Sequence, residues 1–471
     1  MGILARDGYE LTPRADEAEV LVVNTCSFLE AAQKESVDAI LEMAEHKKFG
    51  VAKKLIVAGC LVERYREQIL EQVPEVDAVV GTGEVERILE AVHGDLRVLP
   101  AQPPTFLYHE FTPRIVTTPK HASYIKIAEG CDHPCTFCII PELRGKFRSR
   151  RFESVVREAE NLAAAGTREI TLIGQDTTSY GEDLGLRDGL AQLLAKLAQV
   201  DELLWVRFLY AYPNRVTQEL LDTMAEHPQL AKYMDMPLQH ASRNVLARMK
   251  RGSNGDAFLH LLERMRKTIP GVSLRTSFIV GFPGETEKDF KELCDFVKAA
   301  RLDWMGVFEY SDVDNAESYA LNKKVDSKTI VERRNRLMAI QKKISRENLR
   351  TKYLGAGLHG ESHRLFTALV EGPSKDNPLV WEARLEGMAP EIDGKLYLTD
   401  IELPSGEVAQ SGDVARVQVT KTDAYDLIGR VVEILPRPTG RTDGNVHVKP
   451  PVPPEEKLHR IATGAPLRVL G

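Results

Sequence analysis

Short apolar runs alternate with helix-period stretches along most of the chain. Residues 18–93 read AEVLVVN, a helical pattern around 30–46, KKLIVAG, a second helical pattern around 63–72, and VDAVVG. That rhythm predicts an open parallel α/β sheet. Residues 100–120, PAQPPTFLYHEFTPRIVTTPK, are rich in proline and lack periodicity, so they read as a linker or extended crossover, with a domain boundary near 115. The alternation resumes from 117 to 350. Six strand candidates, SYIKIAEG, EITLIGQ, WVRFLYAY, KYMDMPLQ, LRTSFIVG and WMGVFEYS, are separated by helical patterns. Six such units suit a partial (β/α)6 barrel, whose chemistry gathers on the loops leaving the strand C-termini. Residues 355–435 change to short β segments, LFTALVEG, GKLYLTDIEL and DVARVQVTKT, between Gly and Pro turns, and predict a small β-barrel. The stretch 436–471, with PRPTG and KPPVPPEE, carries too little apolar surface to fold alone and reads as a flexible tail.

Composition narrows the class. In a chain of 471 residues no apolar run approaches the roughly 18 that span a bilayer, and MGILARDGYE has neither a basic leader nor an apolar core segment, so the expectation is a cytoplasmic protein. Six cysteines are too few for a secreted disulfide scaffold. Three fall within eight residues, which points to metal or redox chemistry in a reducing compartment. The formal charge of −7 gives no chain-wide footprint for nucleic acid.

The cysteines carry the chemistry. AEGCDHPCTFCIIP places Cys131, Cys135 and Cys138 on the loop after the first barrel strand. Three thiolates on one tight loop can hold three irons of a cubane cluster and leave the fourth without a protein ligand, where a substrate can bind. The alternative is a structural zinc site, which needs four closed ligands and would have to recruit His133 from the same loop. Cys26, in LVVNTCSF, and Cys60, in LIVAGCLV, each follow a strand at once, at the edge where open α/β sheets bind ligands; read without further context, both are as well explained as small core residues. Cys294, in DFKELCDFVKAA, sits on an amphipathic pattern and reads as core.

The spacing of the three cysteines, with Phe137 before the last, resembles the signature of the radical S-adenosylmethionine superfamily. The resemblance implies that the open iron is chelated by S-adenosylmethionine and that an electron from the cluster breaks its sulfonium bond to give a 5'-deoxyadenosyl radical. It also implies that Phe137 and Gly174, Gln175 and Asp176, in TLIGQDTTSYG, face the cofactor, with Gly281, Gly284 and Glu285, in SFIVGFPGET, near its adenosine. More narrowly, VNTCSFLEAAQKES and VAGCLVERY resemble two of the three N-terminal cysteine segments of the methylthiotransferases, which join an N-terminal α/β domain, a radical barrel and a TRAM β-barrel. By that resemblance Cys26 and Cys60 are ligands of a second 4Fe-4S cluster that supplies or carries sulfur. In the family a first cysteine and a first strand precede the segment that MGILARDGYEL resembles; the expectation is that Met1 is an internal methionine, the alternative being a second cluster lacking one ligand.

Two substrates divide this family: an adenosine of transfer RNA, and an aspartate β-carbon of small-subunit ribosomal protein twelve, the RimO type. CTFCIIPELRGKFRSR, YMDMPLQHASRNVLARMKRG, GVFEYS and EGMAPEIDGKLYL resemble the second branch. Residues 355–435 hold 14 acidic against 7 basic side chains. A barrel that docks phosphates should be basic, and an acidic one attracts a basic protein partner instead. The expectation is therefore a ribosomal-protein substrate bound through the acidic C-terminal barrel, an electron donor, no membrane and no nucleic-acid partner. A non-catalytic iron-sulfur or electron-transfer protein is the reading from another class. Arg144, Lys146, Arg148, Arg150 and Arg151 follow the cysteine loop and either steady a carboxylate or form a solvated face; His240 reads as structural.

Overall fold

The computed structural model describes residues 1–94, 104–355, 364–436 and 460–463. Four short strands of the N-terminal unit, β1 (Glu10–Thr12), β2 (Val20–Thr25), β3 (Lys54–Gly59) and β4 (Ala78–Val80), belong to a five-stranded parallel sheet in which β2, β3 and β4 pair directly. β3 is buried over Leu55, Ile56 and Val57 because helices cover the sheet, including Glu30–Phe49 and Cys60–Gln72. Such apolar runs are what a parallel strand buried on both faces requires.

The central unit supplies six parallel strands. With the two-residue hairpin β6 (Ala128–Glu129) and β7 (Arg148–Ser149) counted in chain order, they are β5 (Ala122–Lys126), β8 (Glu169–Ile173), β9 (Trp205–Phe208), β10 (Tyr233–Asp235), β11 (Ser273–Val280) and β12 (Trp304–Glu309). They pair in the orders β5-β8-β9 and β10-β11-β12, and a parallel bridge between Val206 and Leu230 joins the two halves. This is the expected partial barrel. Its apolar core runs from Ile125 through Leu172, Phe208, Met234 and Phe278 to the helices outside, and Cys294 lies in it.

β13 (Leu365–Pro373), β14 (Trp381–Leu385), β15 (Leu396–Asp400), β16 (Val414–Thr422) and β17 (Leu427–Ile434) close a small barrel in the order β13-β14-β15-β17-β16. Its pairings are antiparallel except between β15 and β17. The alternation of Ala415, Val417 and Val419 inward with polar neighbours outward is the period-two pattern of a strand with one buried face.

The C-terminal stretch needs a correction. Residues 437–459 and 464–471 lie outside the described residues, as do 95–103 of the linker and 356–363 at the start of the third unit. Arg460–Thr463, however, forms a strand, β18, between β1 and β2 of the N-terminal sheet, parallel to both. Four residues of weak apolar content are ordered by pairing on both edges, a tertiary contact that composition does not report. Among the described residues no helix is long and apolar enough to cross a membrane.

Candidate active site

Cys131, Cys135 and Cys138 sit on the segment between β6 and the short helix Ile140–Arg144, at the mouth formed by the C-terminal ends of the barrel strands. Several bonds shape the loop. Cys131 N–H donates to Gly145 O at 3.3 Å, Cys138 N–H to Cys135 O at 3.1 Å, and Thr136 bonds Arg248 O through its hydroxyl at 2.9 Å. Gly130 opens the loop at φ +80, where an added Cβ would stand 2.2 Å from Lys146 O. Only glycine accepts both that conformation and that approach. Phe137 packs with Val245, Met249 and Phe282, which pins the loop to the barrel top.

Burial pushes two of the thiols up, Cys131 to about 11 and Cys138 to about 12, with repulsion from the neighbouring loop sulfurs adding to it. As free groups Cys131 and Cys138 are therefore neutral, and a cationic centre is what would draw them to thiolate. Among the described residues no three His, Cys, Asp or Glu side chains close on a point that could hold a single metal ion. His133, the same-loop candidate for a fourth zinc ligand, has its Nε2 2.7 Å from Asp176 Oδ2, and its ring stacks on Tyr212 at 3.6 Å. Three thiols on one loop, with the neighbouring imidazole committed elsewhere, fit the three-ligand 4Fe-4S set and not a closed zinc site.

The second strand's loop supports the first. Gln175 Oε1 accepts from Gly130 N–H at 2.8 Å, Gly174 rests against Ala128, and Asp176 is buried under bonds from His133, Thr178 and Ser179. Burial pushes Asp176 upward, but those bonds outweigh it and hold the carboxyl below its usual range. Across the mouth, Gly281 turns at φ +81 with its would-be Cβ 2.3 Å from Ile330, and its N–H donates to Glu285. Glu285 also meets His240 Nε2 at 3.4 Å and Arg333 Nη1 at 3.3 Å, so it is spent on the frame of the turn. His240 is buried and structural, as read. Gly284, at φ +86, lies against Arg248.

The register Thr25↔Gly59 sets Cys26 and Cys60 side by side at the carboxyl edge of β2 and β3. Cys60 packs with Ile139 and Leu143, immediately after Cys138, and with Val313 and Ala316. Thr82 Oγ1 donates to Leu143 O at 2.9 Å, and Arg64 pairs with Asp314. The cysteine edge of the N-terminal sheet thus faces the mouth of the barrel. Arg144 spans the joint, 3.3 Å from Cys60 Sγ and 3.3 Å from Glu129 Oε1. Arg150 is instead internal, bonded to Glu158, Ser154 and Lys126 O, so the basic run is neither wholly a solvated face nor wholly a carboxylate clamp. A cavity of about 560 Å³ lined by Lys232, Tyr353, Phe366 and Glu386 lies at the far end of the barrel and touches none of the cysteines.

Two site residues, Arg251 and Tyr212, escaped the sequence reading. Arg251 places Nη1 3.6 Å from Cys135 Sγ and its guanidinium 4.1 Å from the Tyr212 ring, which in turn carries His133. Arg251 lies in the run RMKRG, three residues past the end of the helix Arg243–Arg248, and a basic residue just past the fourth strand's helix was the available signal.

Comparison with known proteins follows the same divisions. The radical SAM superfamily matches residues 125–297, the uncharacterized protein family UPF0004 residues 1–81, and the TRAM domain residues 364–432. Proteins named ribosomal protein uS12 methylthiotransferase RimO match over 92% of this chain: that of Solibacter usitatus at 59% identity over 90% of its length, that of Koribacter versatilis at 53% over 92%, and that of Clostridioides difficile at 41% over 94%.

Proposed function

Because the chain belongs to the family of ribosomal protein uS12 methylthiotransferases RimO, we propose that it is the radical S-adenosylmethionine enzyme that adds a methylthio group to the β-carbon of an aspartate in uS12. The observation that carries this reading is the three-thiol loop, with Cys131, Cys135 and Cys138 held at the mouth of a six-stranded barrel. These residues would hold a 4Fe-4S cluster, which together with S-adenosylmethionine supplies a 5'-deoxyadenosyl radical able to take hydrogen from an unactivated carbon.

The chain's own side chains position and shield. Phe137 and the Gly130 turn fix the loop, while Gln175 ties it to the second strand. Asp176, kept ionised, orients His133 and through it the Tyr212 ring. Gly281, Gly284 and Glu285 build the turn assigned to the adenosine side.

Cys26 and Cys60 are proposed as ligands of a second 4Fe-4S cluster on the facing sheet edge. They make two of the three thiols such a cluster takes from the family's N-terminal unit, and the third is not among this chain's six cysteines: three form the barrel loop and Cys294 lies in the core. Substrate docking is assigned to the C-terminal barrel. Glu371, Glu386 and Asp393 are consumed by internal bonds, but Asp400, Glu402 and Glu407 stand exposed together beside one turn, where a basic protein would be attracted. An electron donor and a cytoplasmic location complete the proposal.

The test is to reconstitute the protein anaerobically and incubate it with S-adenosylmethionine and either uS12 or transfer RNA. An added methylthio mass on an aspartate-bearing peptide of uS12 is expected. Modification of RNA alone would overturn the assignment, and failure to release 5'-deoxyadenosine would return the protein to the class of electron carriers.

A further inference from the structure

The loop between β14 and β15, residues 386–393, EGMAPEID, leaves the C-terminal barrel and enters the opposite end of the central barrel from the cysteines. It contacts five of the six strands. Tyr124 of β5 reaches Pro390 O at 3.4 Å, Arg207 of β9 donates to Glu386 O at 2.9 Å, and Tyr233 of β10 donates to Asp393 Oδ2 at 2.7 Å. Arg275 of β11 lies 3.5 Å from Asp393 Oδ1, and Trp304 of β12 donates to Gly387 O at 2.7 Å. The remaining strand, β8, is tied to the C-terminal barrel by the Glu169–Arg384 pair at 2.6 Å.

From this plug a line of bonds runs to the mouth. Arg275 Nη1 pairs with Asp235 Oδ1 at 2.8 Å, and Asp235 Oδ2 accepts from Tyr210 N–H at 2.9 Å. Tyr210 is a half-exposed side chain held at φ +63, a conformation that costs a non-glycine residue energy and persists only when neighbours impose it. Its carbonyl accepts from Thr177 N–H at 3.2 Å, next to Asp176, and two residues on, Tyr212 N–H donates to Thr178 Oγ1 at 3.0 Å. Tyr212 is the ring that carries His133 of the cysteine loop.

We propose that loop 386–393 is a positioning element for the barrel mouth: Asp393 fixes Arg275, Arg275 fixes Asp235, and Asp235 holds Tyr210 in the strained conformation that seats the Asp176–His133 side of the cofactor loop. The inference rests on the methylthiotransferase reading. It makes the barrel that docks the substrate and the loop that sets the cofactor two ends of one bonded line, so Asp393 and Arg275 act on the reaction without touching it.

The experiment uses the full chain carrying Asp393→Asn, which is nearly isosteric, or Arg275→Lys, which keeps the charge but loses the guanidinium fork, and the pair together. Measured are the melting temperature, KM and kcat with uS12, the ratio of 5'-deoxyadenosine released to methylthiolated product, and the electron paramagnetic resonance spectrum of the reduced protein with S-adenosylmethionine. Each variant is expected to fold, to keep its KM, and to raise the ratio by about threefold or more, the lower range for coupling through such networks. The pair should do no worse than either alone. An unchanged ratio, an effect confined to KM, or additive effects in the pair would overturn the proposal. Should the wild-type chain modify no uS12 at all, the function fails by itself, and the spectrum then decides this inference: identical cofactor-bound signals in wild type and variants overturn it.

Discussion

Replacing Glu169 by Gln should destabilise the protein more than any single change on its surface. Glu169 is fully buried on β8, with Oε1 accepting from Arg207 Nε at 2.9 Å and Oε2 2.6 Å from Arg384 Nη1. Arg384 continues to Glu371 at 2.6 Å, and Glu371 to His121 at 2.9 Å. The two arginines and two glutamates balance, and the substitution leaves one uncompensated positive charge in a site closed to water. Removing one partner of a buried pair costs about 3–5 kcal/mol. Because Glu371 still serves Arg384, and because the Oε2 contact is an ion pair whose angle is too poor to count as a hydrogen bond, the lower end, about 3 kcal/mol, is expected. For a cooperative unit of about 150–250 residues that is a fall of roughly 6–12 °C in melting temperature. Scanning calorimetry of E169Q beside E317Q measures it. The control breaks the Lys250–Glu317 pair, whose side chains are 48% and 58% exposed, and should stay within about 0.5 kcal/mol of wild type. Equal melting temperatures for the two variants would refute the claim that this network carries the joint between the barrels.

Other outcomes follow from the same geometry. Changing Cys131, Cys135 or Cys138 to Ala should each abolish 5'-deoxyadenosine release and most of the broad visible absorption of a reconstituted C26A/C60A background, whereas Cys294→Ala in that background should leave the absorption intact; spectra and iron counts decide. Gly281→Ala forces a Cβ to within 2.3 Å of Ile330 at φ +81 and should cost about 1–3 kcal/mol of stability in a denaturant titration, a loss within error showing that the turn yields freely. Burial raises the Asp393 carboxyl from 3.8 to about 6, so the folded chain holds that proton more tightly than the unfolded one; its contribution is full below about pH 4 and is lost as pH rises through 6, roughly 3 kcal/mol by pH 7. The stability of wild type minus that of D393N should therefore fall between pH 4 and 7 in urea titrations, and a difference that rises over that window would show the carboxyl to be depressed instead.

The parts of this protein that could be read from sequence are those written in local pattern. Runs such as LIVAG and SFIVG, closed by glycine and followed by helix-period residues, fix strand, turn and helix together, and the three-cysteine spacing names its chemistry because one short loop must hold all the ligands. What stayed illegible depends on contacts between distant segments. Arg251 becomes a neighbour of Cys135 only when β10 and its helix curl back over a loop 116 residues earlier. β18 exists only because β1 and β2 leave a place between them. Glu285, which motif resemblance set beside the adenosine, is spent on a backbone turn and on Arg333, a residue of a helix that starts 42 positions later at Ser327. The loop 386–393 shows the limit most sharply: nothing in the composition of EGMAPEID says that it plugs a barrel. Its bonds to Tyr233 and Arg275, from strands about 120–160 residues earlier in the chain, are what seat it there. The residues of this loop can then be expected to change together with the residues of β10 and β11 that they bond, and not with the exposed acidic turn of Asp400, Glu402 and Glu407.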